Sequence, residues 1–315
     1  MLFIDGHCDT ITTVMRKEEC FYKNNCHIDI ERLKKFDSPI QVFSVWLERE
    51  KLSNPFFYSM EAINFFKKQV LLNRAYISLG ENYYDLCKNM KNRKISGILG
   101  LEGCEAFEGN IENIYKFFDS GVRIFTITWN YENELGFGAA TESSEGLKPF
   151  GKKAVKILND LGGIIDVSHL NEKGFYDICE ISEKPFIASH SNSKEICNHL
   201  RNLTDMQIKE ISQREGIIGI NLYPYFLEND KTADMNSVIR HIEHIMNVGG
   251  ENILGFGCDF DGIDKMPDGI KSISDMDKLF YEIKRCFGEK IAEKIIGKNF
   301  LRFFKKNLKK YSQST

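Results

Sequence analysis

The chain has 315 residues, 42% hydrophobic and 28% charged, enough for a sizeable core and typical of a globular protein. A formal net charge of -3, with no Lys/Arg block, argues against nucleic acid as a partner. No apolar run reaches the roughly 18 residues that a membrane span needs, so no membrane partner is expected.

Short apolar or β-branched runs recur along the chain: LFIDGH (2–7), IQVFSVWLE (40–48), SGILGLEG (96–103) and VRIFTITWN (122–130). Four more follow: GGIIDVSHL (162–170), KPFIASHS (184–191), GIIGINLYP (216–224) and NILGFGCDFDG (252–262). Their unbroken apolar character suits strands covered on both faces, as in parallel sheets. Helix-like stretches separate most of them. The two longest connections are 10–39 and 52–95, the second reading as one or two helices around FYSMEAINFFKKQVLLNRAY. KPFGKKAVKILNDLG (148–162) has apolar residues at helical spacing and a terminating Gly162. SNSKEICNHLRNLTDMQIKEISQREG (191–216) carries two capped pieces, entered at Ser193 and Thr204. DMNSVIRHIEHIMNVGG and GEKIAEKIIGKNFLRFFKKNL are the last two large helices. Strands alternating with helices imply βαβ units, and eight of them predict a (β/α)8 barrel. No linker, low-complexity segment or repeat interrupts the pattern, so one catalytic domain over residues 1–315 is expected.

In such barrels the active site lies at the C-terminal ends of the strands. The reactive residues collect there: His7 and Asp9 after the first predicted strand, Glu102 after the third, His169 after the fifth, His190 after the sixth, and Asp259 and Asp261 after the eighth. Residues two apart on an extended strand share a face, so His7 and Asp9 can converge. Three imidazoles and two carboxylates exceed what one catalytic zinc takes, but they suit two ions with a shared carboxylate. Glu102 is the expected bridge, because its strand lies between the others around the ring. That assigns His7, Asp9 and Glu102 to one zinc, and Glu102, His169 and His190 to the other. A hydroxide held between them would attack, and their residual positive charge would stabilise the oxyanion. Asp259 remains over, as a proton carrier, a further ligand or a strand-end cap. His241 and His244 in HIEH sit on a predicted outer helix and are not read as a metal site.

Taken in order, DGHCD, GLEG, IDVSHL and ASHS resemble the metal-site segments of the membrane (renal) dipeptidase family of zinc peptidases, in particular its bacterial members. RNLTD (201–205), HIEHIMNVGG (241–250), GFGCDFDG (255–262) and GKNFLRFF (297–304) resemble its later blocks, so the likeness covers nearly the whole chain. The resemblance implies the barrel, a binuclear zinc site with these ligands, Asp259 as the acid/base, and Arg201 as the anchor of the substrate's C-terminal carboxylate. A guanidinium fork matches a carboxylate, which makes that last role physically sensible. Family members hydrolyse dipeptides, often with a D-residue on the C-terminal side, and some open β-lactam rings. Homo-oligomerisation is consistent with the resemblance. One position departs: better-known members have a histidine after the fourth strand, where TITWNYEN places Trp129. Indole donates one hydrogen bond but neither carries charge nor accepts a proton. Either Trp129 shapes the pocket while another donor substitutes, or activity on ordinary dipeptides is shifted. The loop that follows (130–147) reads either as a pocket wall or lid, or as a tolerated surface loop.

The expected function is a zinc-dependent dipeptidase. Its rivals are another metal-dependent amidohydrolase, acting on an acyl-amino acid, cyclic amide or lactone, and a non-catalytic metal-binding sensor. Nine scattered cysteines without a Cys-x-x-Cys pair, no basic-then-apolar start, and a polar KKYSQST ending predict reduced thiols in a cytoplasmic protein.

Overall fold

The computed structural model describes residues 2–48 and 53–309. Residues 310–315, which include most of the polar KKYSQST ending, lie outside the described residues. Among the described residues there are nine strands. They are β1 (Ile4–Asp5), β2 (Ile40–Trp46), β3 (Ile77–Leu79), β4 (Ile95–Glu102), β5 (Val122–Thr126), β6 (Ile164–Asp166), β7 (Ile187–Ala188), β8 (Ile217–Ile220) and β9 (Leu254–Phe256). All pairings between them are parallel. The order β2-β1-β9-β8-β7-β6-β5-β4 is closed by a β2–β4 pairing that runs from Ile40–Ser96 to Trp46–Glu102. The result is a closed eight-stranded barrel with helices around it, the expected (β/α)8 architecture.

Two local expectations are corrected. The connection 52–95 holds two helices, Pro55–Leu72 and Tyr83–Lys91, but also β3, a ninth strand between them. It pairs with β4 at Ile95–Gly97, while β5 pairs with β4 only from Leu99 onward. β3 therefore supplies backbone partners to the lower part of β4 that β5 leaves open. The second correction concerns 191–216. The Thr204 piece is a helix, Asp205–Gln213, with a complete capping box. The Ser193 piece is a run of turns instead. Ser193 bridges to Leu203, and Asn202 Nδ2 donates to the Cys197 and Phe226 carbonyls at 2.9 and 2.8 Å. These long-range bonds outcompete a helix ladder and fold the loop back on itself, with Arg201 inside it.

The lumen is built in tiers that follow from strand alternation. Its floor is Ile4, Ile40, Ile98, Ile124, Ile164, Ile187 and Ile217, one from each of seven ring strands, packed with Phe300, Phe303 and Phe304 of the helix Asn299–Asn307. β9 contributes Gly255, where a Cβ would stand 2.4 Å from the Phe300 ring, so the aromatic takes the eighth place. Two residues up the strands come Gly100, Thr126, Asp166, Ser189 and Gly219, and Ser44 stands at the same level: small or hydroxyl side chains with one carboxylate. Above these sit Trp46, Glu102, Asn221 and Asp259 at the mouth. No helix of the described residues is long and apolar enough to cross a membrane. All nine cysteines are free.

Candidate metal centre

The predicted ligands meet at the mouth of the barrel. His7 Nε2 lies 3.4 Å from Asp9 Oδ2 and 3.3 Å from Glu102 Oε2. The other Glu102 oxygen, Oε1, stands 2.8 Å from His169 Nε2 and 3.6 Å from His190 Nε2. The two Nε2 atoms are 2.8 Å apart. Glu102 thus reaches both halves of the cluster, and it is only 3% exposed while His190 is fully buried.

Asn130 Oδ1 can only accept, so His169 Nδ1 at 2.7 Å carries the proton. Ser189 Oγ gives its proton to Asp166 Oδ2 at 2.6 Å, so His190 Nδ1 at 2.7 Å donates to that hydroxyl. Burial, reinforced by nearby Arg201 and His7, pushes both imidazoles well below their ordinary pKa, and they are neutral. Both Nε2 lone pairs then face each other and a carboxylate oxygen at 2.8–3.6 Å. Such a set is unfavourable alone and is the donor set that a divalent cation satisfies. On the other side, His7 Nε2 and Asp9 Oδ1 are buried without a hydrogen-bond partner among the described residues. Burial opposes charge on His7, but the Glu102 and Asp9 carboxylates outweigh it and hold its pKa well above the usual value. Burial, then repulsion from Asp9, pushes Glu102 well up. The residues fit a divalent-cation site.

Three triads have ligand atoms close enough for one ion: Glu102–His169–His190, His7–Asp9–Asp259 and His7–Asp166–His190. The first is a predicted set. The second contains Asp259, whose Oδ1 is 4.0 Å from His7 Nε2, so Asp259 stands within ligand reach as well as beside the cluster. Its Oδ2 accepts from Asn221 Nδ2 at 2.9 Å, and burial pushes its pKa up to about 6. The third contains Asp166, which sequence reasoning missed. Its carboxylate is already engaged by Thr126 Oγ, Ser189 Oγ and the Ser168 and Ser189 amides, so it orients His190 through Ser189. Ser44, 3.3 Å from His7 Nδ1, is the corresponding partner of His7.

Three of the nine non-glycine residues with positive φ among the described residues lie here. His169, Asp259 and Asp261 have φ of 68°, 60° and 68°, a left-handed region that costs a non-glycine residue on the order of 1–3 kcal/mol. The Asp259 and Asp261 turns break strand alternation, so these two carboxylates diverge. Asp261 turns away from the cluster, accepting from Thr10 Oγ at 2.6 Å and from the His27 amide, and it ties down the long connection after β1. Gly262 is required by crowding: a Cβ there would lie 2.2 Å from Asp9 Oδ2 and 2.4 Å from Asp259 Oδ1.

Asp9, Glu102, His169 and Asp259 open onto a cavity of about 590 Å³, which Trp46, Trp129 and Tyr223 also line. Arg201 is 4% exposed, donates through Nη2 to the His190 carbonyl at 3.2 Å, and has no partner for Nε among the described residues. Burial lowers its pKa to about 10, against the pull of Asp259 and Glu102. It lines a second cavity of about 500 Å³ with Ser191 and Lys194, not the first. The 130–147 loop forms a wall of that cavity through Ala139, Thr141 and Ser143, and the Ala139 amide donates to the His169 carbonyl at 2.7 Å. His241 is a core hydrogen-bonding group, accepting from the Ser193 amide and bonding the Leu227 carbonyl, and His244 pairs with Asp205.

The barrel and its buried, convergent set of imidazoles and carboxylates define a metal-dependent hydrolase. The family model of membrane dipeptidase (peptidase family M19) matches residues 1–315, and the chain belongs to that family of metallo-dipeptidases. It is 30% identical over 232 residues to an uncharacterized protein from the pqqA 5' region of Klebsiella pneumoniae, a match covering 70% of this chain and 85% of that one. It is 31% identical over 253 residues to an uncharacterized dipeptidase of Schizosaccharomyces pombe, covering 78% and 62% of the two chains. The fold is shared with a metallo peptidase from Rhodobacter sphaeroides liganded with a phosphinate mimic of the dipeptide L-Ala-D-Ala, at TM-score 0.87 and 23% identity over 98% of this chain and 99% of that one. It is shared equally with the M19 metallo peptidase dipeptidase AC, at TM-score 0.92 and 24% identity over 98% and 99%.

Proposed function

We propose that this single-domain chain is a dipeptidase working with two zinc ions. In this reading Glu102, His169 and His190 hold one ion and His7, Asp9 and Glu102 the other. The observation that carries it is the convergence of Glu102 Oε1 with the His169 and His190 Nε2 atoms, on imidazoles whose Nδ1 atoms are already engaged by Asn130 and Ser189. Bound there, the ions would lower the pKa of water and polarise the scissile carbonyl.

The chain's own groups do the rest. Asp259, fixed by Asn221 through one oxygen, keeps the other free to take the proton of the attacking water and pass it to the departing amine. Arg201 grips the C-terminal carboxylate, and its burial strengthens that pairing. Ser189 and Asn130 hold the two imidazoles in the tautomer that leaves Nε2 free. A D-residue on the C-terminal side is accepted, a reading supported by the likeness to the Rhodobacter sphaeroides enzyme with its L-Ala-D-Ala mimic.

The test is metal analysis of the purified protein beside turnover of L-X–L-X and L-X–D-X dipeptides. About two zinc ions per chain and turnover are expected; a fully loaded protein that cleaves no dipeptide overturns the reading. Arg201→Ala should raise KM for dipeptides with a free carboxylate by about 10²-fold, the loss of a charge-assisted pair, and leave C-terminally amidated ones unaffected. Equal effects on both would remove Arg201 from its role.

A further inference from the structure

The sequence contains two tryptophans, and both line the same cavity. Trp46 ends β2 and is paired in register with Glu102; Trp129 follows β5. They therefore flank Glu102 from either side around the ring. Their rings are 5.4 Å apart, Trp129 is 5.4 Å from Tyr131, and it is 6.0 Å from the His169 ring. Both indoles are half-buried, so each keeps surface to present to the cavity. Among the described residues the Trp46 N–H has no acceptor, although a sequestered indole ordinarily finds one. At the rim Arg16 is paired with Glu48.

The placement of Arg201 gives the wall a direction. Arg201 faces the other cavity, beside the β7 loop, while the indoles sit over β2 and β5. A dipeptide anchored by its carboxylate at Arg201, with its carbonyl at the ligand cluster, extends its amino-terminal residue away from Arg201 and toward the cavity that holds the indoles. We infer that Trp46 and Trp129 form the subsite for the side chain of the amino-terminal residue and select an aromatic or large apolar group there. This rests on the dipeptidase reading. Offset or edge-to-face stacking on the indoles, together with apolar burial, is the physical source of the preference.

The metal-loaded protein tests this with Phe-Ala and Ala-Ala. The expected ratio of kcat/KM is on the order of tenfold in favour of Phe-Ala, and Trp129→Ala and Trp46→Ala should each bring the ratio toward one. Fluorescence provides a second measurement, because all tryptophan emission arises from this wall. Phosphinate mimics of Phe-Ala and Ala-Ala, which are not turned over, are titrated into the same protein. The Phe-Ala mimic should bind about tenfold tighter and shift the emission more. Turnover with a ratio near one, and equal affinity for the two mimics, overturns the subsite while leaving the dipeptidase reading intact. No turnover of either dipeptide overturns the dipeptidase reading, and the subsite with it.

Discussion

The floor and the mouth of this barrel are made by the same strands, two to four residues apart, yet they follow opposite rules. The floor is a dry layer of isoleucines sealed by Phe300, Phe303 and Phe304, all in close contact. The mouth gathers His7, Asp9, Glu102, His169, His190 and Asp259, buried nearly as deeply but with lone pairs facing one another and left-handed backbone at His169 and Asp259. One end stores the stability that the other spends. Between them the tier of Ser44, Thr126, Asp166 and Ser189 converts a hydrocarbon layer into an oriented set of imidazoles.

Substitutions at the two ends should therefore separate function from folding. Glu102→Ala has the largest expected effect: activity falls to background and bound metal drops, because the proposed site loses the ligand that reaches both of its halves. The thermal midpoint of the metal-free protein should hold or rise, since a carboxylate strained by burial and by Asp9 is gone; a large fall would contradict the contrast. Asp259→Asn should lower kcat by about 10²–10⁴-fold, the usual range for a lost proton carrier, with metal content retained. Metal loss in this variant would make Asp259 a ligand instead. At the other end, Phe300→Ala should destabilise the fold by about 3–5 kcal/mol in denaturant titration and leave kcat of the folded fraction within about threefold. Smallest is Ser189→Ala, which frees the His190 tautomer and should weaken metal binding by about 10–100-fold in competition with a chelator, with little change in folding.

How much was legible follows the same division. Strand positions and the His, Asp and Glu residues at their ends stand out in sequence, because apolar runs and reactive side chains are rare coincidences. Asp166, Ser189, Ser44 and Asn130 did not, because serine, asparagine and a strand-end aspartate have many ordinary uses. Only the count of two along each strand would have put Ser189 and Asp166 at the level beneath the ligands. Asp261 stayed ambiguous because the alternation that aligns His7 with Asp9 fails where φ turns positive. β3 was hidden by its three-residue length next to a helix, and the Ser193 turns by bonds to Leu203 and Phe226 that local spacing does not encode.

The plug of the floor has a consequence for biogenesis. Phe300 nests against Gly6 and Gly255, so it joins β1 to β9 across nearly the whole length of the polypeptide. A nascent chain leaving the ribosome can assemble every strand in turn and still present a ring of uncovered isoleucines until Phe300 and Phe304 clear the exit tunnel. Until then the apolar floor is the largest surface that the assembled strands leave uncovered.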